Sequence, residues 1–241
     1  MRALVFAGRN GKELLRDPLS PLLMIGLPLV LLFLLSAIND NVPNEAFAIG
    51  LFGPGIAVLS LSFITIFTGT LLAGDRRSSF LTRLRASPLT AADSIAGYTL
   101  PMTLIAVAQS AICLIAAFFV GLPVTANVLV ALLVLVPVGV LFVGFGLLLG
   151  AVFTVEQVGG VGSILINAAT LLSGTWFPLS LIGGTFETIA NLLPFVHAVE
   201  ATRLAVAGDF GAVVPHLLWC LGYALPVFAG AIALFRRQSQ A

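Results

Sequence analysis

Residues 127–153 read NVLVALLVLVPVGVLFVGFGLLLGAVF, with no charged side chain among them. A helix needs about 20 mostly apolar residues to cross the hydrocarbon layer of a bilayer. This run is long enough. It is also continuous, without the two-residue alternation of a membrane barrel strand, so it predicts a spanning helix. Working outward, similar runs stand at about 20–38, 50–74, 95–120, 157–179 and 213–235. The first is short and holds Pro21 and Pro28. Membrane helices tolerate proline when neighbours satisfy the freed carbonyls.

The composition agrees. Of 241 residues, 59% are hydrophobic and 9% charged, and the mean hydropathy is +1.14. A water-soluble fold of this size has too few polar groups here to cover its outside. The net charge of +1 excludes a nucleic-acid binder that relies on a global basic field. Cys113 and Cys220 fall inside apolar runs and read as small core side chains, not a disulfide or metal site. The opening MRALVFAGRNGKELLR lacks the apolar core and cleavage site of a signal peptide, so the first span is expected to stay in the mature protein.

Lysine and arginine set the expected orientation. Four precede the first run, four lie in 75–94 and two in the C-terminal tail; Arg203 stands apart. Six crossings put ten of the eleven on one side, which five or seven would not. Both termini and the 75–94 loop are therefore expected in the cytoplasm, in a multi-pass protein of the plasma membrane.

Residues 1–18 predict an amphipathic interface helix. Ala3, Leu4, Ala7, Gly11, Leu14 and Leu15 share one side; Arg2, Arg9, Lys12, Glu13 and Arg16 share the other, toward headgroups and water, with Val5 and Phe6 blurring that polar face. In the loop, Phe80, Leu81 and Leu84 make an apolar stripe flanked by Arg76, Arg77, Arg83 and Arg85. A short helix at about 77–86, ended by Pro88, suits a groove on a partner protein or the headgroup surface. Thr90 and Asp93 form a capping-box pattern for the next span. The stretch 181–208 is too apolar for a solvated loop and is divided by Pro194. Each half could make a helix of about 10 residues, about 15 Å long. That predicts a re-entrant hairpin in the outer leaflet, with Glu200 and Arg203 paired at i,i+3.

The expected fold is thus one all-α membrane domain over 1–241 with six spans. Its chemistry is sparse. No G-x-x-x-x-G-K-[ST] phosphate loop is present in the sequence, so ATP hydrolysis is not expected of this chain. The spans lack mid-membrane charge, which disfavours an ion-driven carrier or a channel without excluding either. Thr65, Gln109, Asn167 and Thr170 are the polar candidates for a substrate path; hydrogen bonding between helices is the simpler use for them. Ser173 with His197 or His216 gives little support to an intramembrane hydrolase, and no H-E-x-x-H zinc motif occurs. Gly146-x-x-x-Gly150 permits close helix packing, within one subunit or between two.

Taken in order, these features resemble the permease subunit of an ABC-2 type exporter, over essentially the whole chain. Asp75-Arg76, Leu84 and Ser87-Pro88 stand where that family reads E-R-x-x-G-T-x-E-x-L-x-x-[ST]-P; Ser79, Phe80 and Thr82 depart from it. Leu193-Pro194-Phe195, followed by Ala198 to Arg203, is similar to the family's outer hairpin. The resemblance implies a separate cytoplasmic ATPase, two copies per complex, that binds ATP and Mg and docks on the 77–86 helix, so that Arg76, Arg77, Phe80, Leu81, Arg83, Leu84 and Arg85 would carry coupling. It implies a second permease copy or a paralogue, a surround of membrane lipid, no cofactor on this chain and no nucleic-acid partner. The substrate would be a drug, a lipid or a lipid-linked glycan, with the small loop-poor form nearest the multidrug and antibiotic-resistance subgroup. A cofactor- or haem-export permease of cytochrome assembly is the alternative of similar length.

Overall fold

A computed structural model describes residues 6–12, 19–42, 48–78, 90–176 and 178–240. Among them the chain is helical, with no strand. The elements are α1 (Leu19–Asn41), α2 (Ile49–Arg77), α3 (Ala91–Phe119), α4 (Asn127–Val152), α5 (Val155–Leu172), a 3-10 turn (Leu179–Leu181), α6 (Gly184–Leu192), α7 (Pro194–Ala207) and α8 (Phe210–Gln240). Residues 6–12 form a further helical segment. α1 to α5 and α8 are long and apolar enough to cross a membrane, which matches the six expected runs.

Local chemistry sets several ends. Thr90 caps α3 and Thr154 caps α5, each with a reciprocal bond from the residue three positions on, Asp93 and Gln157. α7 ends at Gly208, whose φ of 88° is left-handed and favours glycine. α5 stops earlier than the apolar run suggested. Its 18 residues reach about 27 Å, close to the hydrocarbon thickness.

α2 and α4 form the centre. α2 packs on α1, α3, α4, α5 and α7, and α4 packs on α3, α5, α7 and α8. Their closest approach is the glycine pair. A Cβ on Gly146 would lie 2.5 Å from the Thr65 carbonyl oxygen, and one on Gly150 would lie 2.5 Å from that of Gly69. No side chain fits there, so the G-x-x-x-G motif works inside one chain. Thr65 Oγ1 closes the seam by donating to the Phe142 carbonyl at 2.9 Å. α1, α5 and α8 present large apolar side chains outward, including Leu22, Val30, Leu34, Ile164, Leu218 and Leu225. These surfaces suit lipid as solvent.

Proline explains two contacts between helices. Pro28 cannot donate to the Met24 carbonyl, and Gln109 of α3 caps that oxygen at 2.7 Å while also reaching the Ser60 carbonyl at 2.8 Å. Pro101 likewise frees the Gly97 carbonyl, and Asn10 caps it at 3.1 Å. Leaving such a buried acceptor unmet costs about 1–3 kcal/mol, so both amides hold helices together.

Two expectations need correction. Asp75, Arg76 and Arg77, expected in the 75–94 loop with Arg77 opening its helix, are the last residues of α2. Cations near a helix C-terminus are favoured by the macrodipole, and both arginines find partners on the neighbouring helices. In the N-terminal segment, Phe6 is buried, not surface-facing, and Arg9 turns to the protein rather than to headgroups. The remainder of the predicted 1–18 helix, and residues 79–86 of the predicted loop helix, lie outside the described residues.

Candidate coupling junction and outer hairpin

The arginine-rich end of the molecule is built around Asp75. Its carboxylate is buried in the last turn of α2, where a helix C-terminus disfavours negative charge. Three donors offset this. Arg9 binds it in a two-pronged fork, Nη1 to Oδ2 at 2.8 Å and Nη2 to Oδ1 at 3.0 Å. Tyr98 Oη donates to Oδ2 at 2.7 Å. Charge-assisted bonds of this kind are the strong ones.

The same contacts seat the N-terminal segment on α3. The Phe6 ring meets Tyr98 edge-on at 4.9 Å and fills the notch left by Gly97, where a Cβ would collide with it. Arg9 also donates to Asn10 Oδ1 at 2.9 Å, orienting the amide that caps Gly97. One residue on from Asp75, Arg76 donates to the carbonyls of Gly150 and Phe153 at 2.7 and 3.2 Å, at the end of α4. Arg77 pairs with Glu156 at the start of α5 at 2.8 Å; both are exposed, so this pair contributes little stability. Asp75, Arg76 and Arg77 thus tie α2 to the N-terminal segment, α3, α4 and α5 within three residues. Of the loop residues expected to couple, Phe80, Leu81, Arg83, Leu84 and Arg85 lie outside the described residues.

Within the spans, the four polar candidates separate. Thr65 and Gln109 are buried and bond across helix interfaces. Thr170 donates to the Ile166 carbonyl, and Asn167, which is exposed, donates to that of Ser163, both within α5.

At the opposite end α6 and α7 form the broken hairpin, divided at Pro194. α7 is inserted between α2, α4 and α8 and buries Phe195, Ala198, Val199, Ala201 and Thr202. The carbonyls left open by the break are capped from α8: Leu192 accepts from Trp219 Nε1 at 3.2 Å and from Tyr223 Oη at 2.7 Å. Glu200 and Arg203 pair at 2.7 Å as expected from their spacing. Arg203 also donates to the Leu51 and Gly174 carbonyls, both at 2.9 Å, joining the hairpin to the start of α2 and the end of α5.

The two histidines, one on α7 and one on α8, meet Nδ1 to Nδ1 at 2.8 Å. His197 Nε2 lies 2.9 Å from the Asn191 carbonyl, which can only accept. Nε2 therefore carries a proton, Nδ1 of the neutral ring accepts, and His216 Nδ1 donates. Burial depresses the His197 pKa below the ordinary imidazole value and favours that neutral form.

Sequence reasoning missed the Asp75–Arg9–Tyr98 cluster and the histidine pair. The separations, 66 residues for Arg9 to Asp75 and 19 for the histidines, fit no local spacing rule. A faint signal existed: the chain has two tyrosines, and a tyrosine in an apolar span needs a partner for its hydroxyl.

Together these features define a polytopic helical membrane domain with a charged junction at one face and a broken helical pair at the other. Residues 3–206 match the ABC-2 type transporter family, and the chain belongs to it. Among curated proteins it is 26% identical over 187 residues to "Probable multidrug ABC transporter permease YbhR" of Escherichia coli K12, covering 76% of this chain and 51% of that one. It is 27% identical over 186 residues to the daunorubicin resistance ABC transporter permease protein DrrB1 of Streptomyces coeruleorubidus, covering 76% and 64%. It is 29% identical over 178 residues to the linearmycin resistance permease protein LnrN of Bacillus subtilis, covering 70% and 44%. The matched stretch thus spans 44 to 64% of the length of these relatives.

Proposed function

We propose that the chain is the membrane-spanning permease subunit of an ATP-driven exporter and moves a hydrophobic or amphiphilic compound outward. A separate ATPase, two copies per complex, supplies ATP and Mg binding from the cytoplasm, and a second permease copy or paralogue completes the path. Both termini and the arginine-rich junction face the cytoplasm, on the plasma membrane. The relatives' names support a drug or antibiotic as the cargo.

The Asp75 junction is the observation that carries this reading. It anchors the root of the segment that follows Ser78 to the N-terminal segment, α3, α4 and α5. Force applied by an ATPase to residues 79–89 acts first on the last turn of α2. Because α2 and α4 meet backbone to backbone at Gly69, Gly146 and Gly150, they move together. α4 and α2 both pack on α7, so the displacement reaches the outer hairpin, the side from which cargo leaves.

The test is co-purification with an ABC ATPase encoded beside this chain, followed by turnover in lipid vesicles. ATPase activity is expected to depend on the chain, and Phe80→Asp with Leu84→Asp is expected to uncouple it. Retained coupling in the double variant, or no ATPase association, refutes the assignment.

A further inference from the structure

Between the end of α5, the 3-10 turn and the outer hairpin lies a cleft of about 320 Å³. Its size is at the lower end of small-molecule sites, about 300–1,000 Å³. We propose that this cleft binds the cationic head of an amphiphile, an organic ammonium. Its part in transport rests on the exporter reading, to which it adds a substrate class.

The charges decide the sign. Arg203 lines the cleft, but its fork is committed to Glu200 Oε1 and to the Leu51 and Gly174 carbonyls. Its charge is matched by Glu200. Glu187, also in the wall, has no ion pair among the described residues. The cleft therefore keeps one negative charge. Asn191 lines the same wall one helical turn from Glu187 and offers an amide oxygen. Carboxylate and amide oxygens accept hydrogen bonds, and the unmatched Glu187 charge attracts a donor-rich cation over a neutral group and repels an anion.

The walls explain why the cation is organic. Leu51, Pro178, Leu179 and Val196 supply apolar wall beside the hydroxyls of Thr175 and Ser180, and Leu181 and Ile182, which follow Ser180 in the chain, are exposed apolar side chains. The cleft holds a head group and lets a tail leave along these side chains. A bare metal ion would need a denser ligand set; no group of three or more His, Cys, Asp or Glu side chains is assembled for one among the described residues.

The experiment uses the full chain in nanodiscs of phosphatidylcholine, with protein-free nanodiscs as baseline. Rhodamine 6G binding is followed by fluorescence polarisation and competed with dodecylamine, charged at pH 7, or with dodecanol. Dodecylamine is expected to compete and dodecanol to fail. Glu187→Gln is expected to weaken the dye about tenfold, the effect of losing one charged contact. Asn191→Asp, on an exposed residue, is expected to tighten it severalfold, and 0.5 M salt to weaken it. Equal competition by dodecanol, binding no greater than the baseline, or no change in either variant overturns the proposal. The two readings fail separately. ATPase coupling with dye binding indifferent to Glu187→Gln overturns the cleft and leaves the exporter. Charge-selective binding with no ATPase association overturns the exporter and leaves the cleft.

Discussion

Replacing Arg9 with Gln tests the junction at its strongest contact. The variant removes both prongs of the fork and leaves the buried Asp75 carboxylate with the Tyr98 hydroxyl. Stripping one partner from a fully buried ion pair costs about 3–5 kcal/mol. The Asp75 side chain is 5% exposed but that of Arg9 is 36% exposed, so water replaces part of the loss and about 2–3 kcal/mol is the reasonable magnitude. The loss should fall on the docking of residues 6–12 and not on global unfolding, because the α2–α4 seam does not use Arg9. At about 1.4 kcal/mol per tenfold, undocking becomes about 30- to 150-fold more frequent. Hydrogen exchange in detergent or nanodiscs reads this directly: amides of 6–12 should lose one to two orders of magnitude of protection while those of 135–147 keep theirs. A double cycle with Asp75→Asn should show coupling of about 2 kcal/mol. Unchanged protection in 6–12, or equal loss in α4, would refute the assignment of the fork as a local lock.

Other parts of the fold make equally definite demands. Gly150→Ala places a methyl against the Gly69 carbonyl and Leu72 and should cost about 1–3 kcal/mol or more by overpacking, seen as a lowered melting temperature; Gly160→Ala, which meets nothing within 4 Å, is the neutral comparison. Gln109→Leu should cost about 2 kcal/mol, since the Met24 carbonyl, already without an N–H from Pro28, loses its donor. The histidine contact should weaken in acid. The His197 pKa is depressed below the ordinary 6.5, so its stabilisation is complete above about pH 6.5 and is lost as pH falls toward the folded value. Trp219, with its ring 5.0 Å from His197, reports this by fluorescence in a Trp176→Phe background between pH 7.5 and 5; His197→Gln should flatten the profile.

Much of the architecture was legible because lipid imposes a simple rule: every spanning segment must be apolar and internally hydrogen-bonded. The runs at 50–74, 95–120 and 127–153 became α2, α3 and α4 for that reason, and Pro194 divides the 181–208 stretch as the first residue of α7, a position that suits proline. The Glu200–Arg203 pair was legible too, since its spacing is local. The ends were less so. α2 carries Asp75, Arg76 and Arg77 because contacts from Arg9, Tyr98 and the end of α4 outweigh the cost of charge there, and none of those contacts is near in sequence.

The sequence by itself determined that this chain has six helices long and apolar enough to cross a membrane, where its basic residues stand, and that the α6–α7 hairpin breaks at Pro194. These follow from composition and from backbone chemistry within a few residues. Tertiary structure alone decided which donor each proline-freed carbonyl would find, that Gly146 and Gly150 face α2 of the same chain, that the histidines meet, and that Asp75, Arg76 and Arg77 tie α2 to four other elements. Such contacts depend on which helix faces are brought together across 19 to 87 residues, and packing, not spacing, sets that.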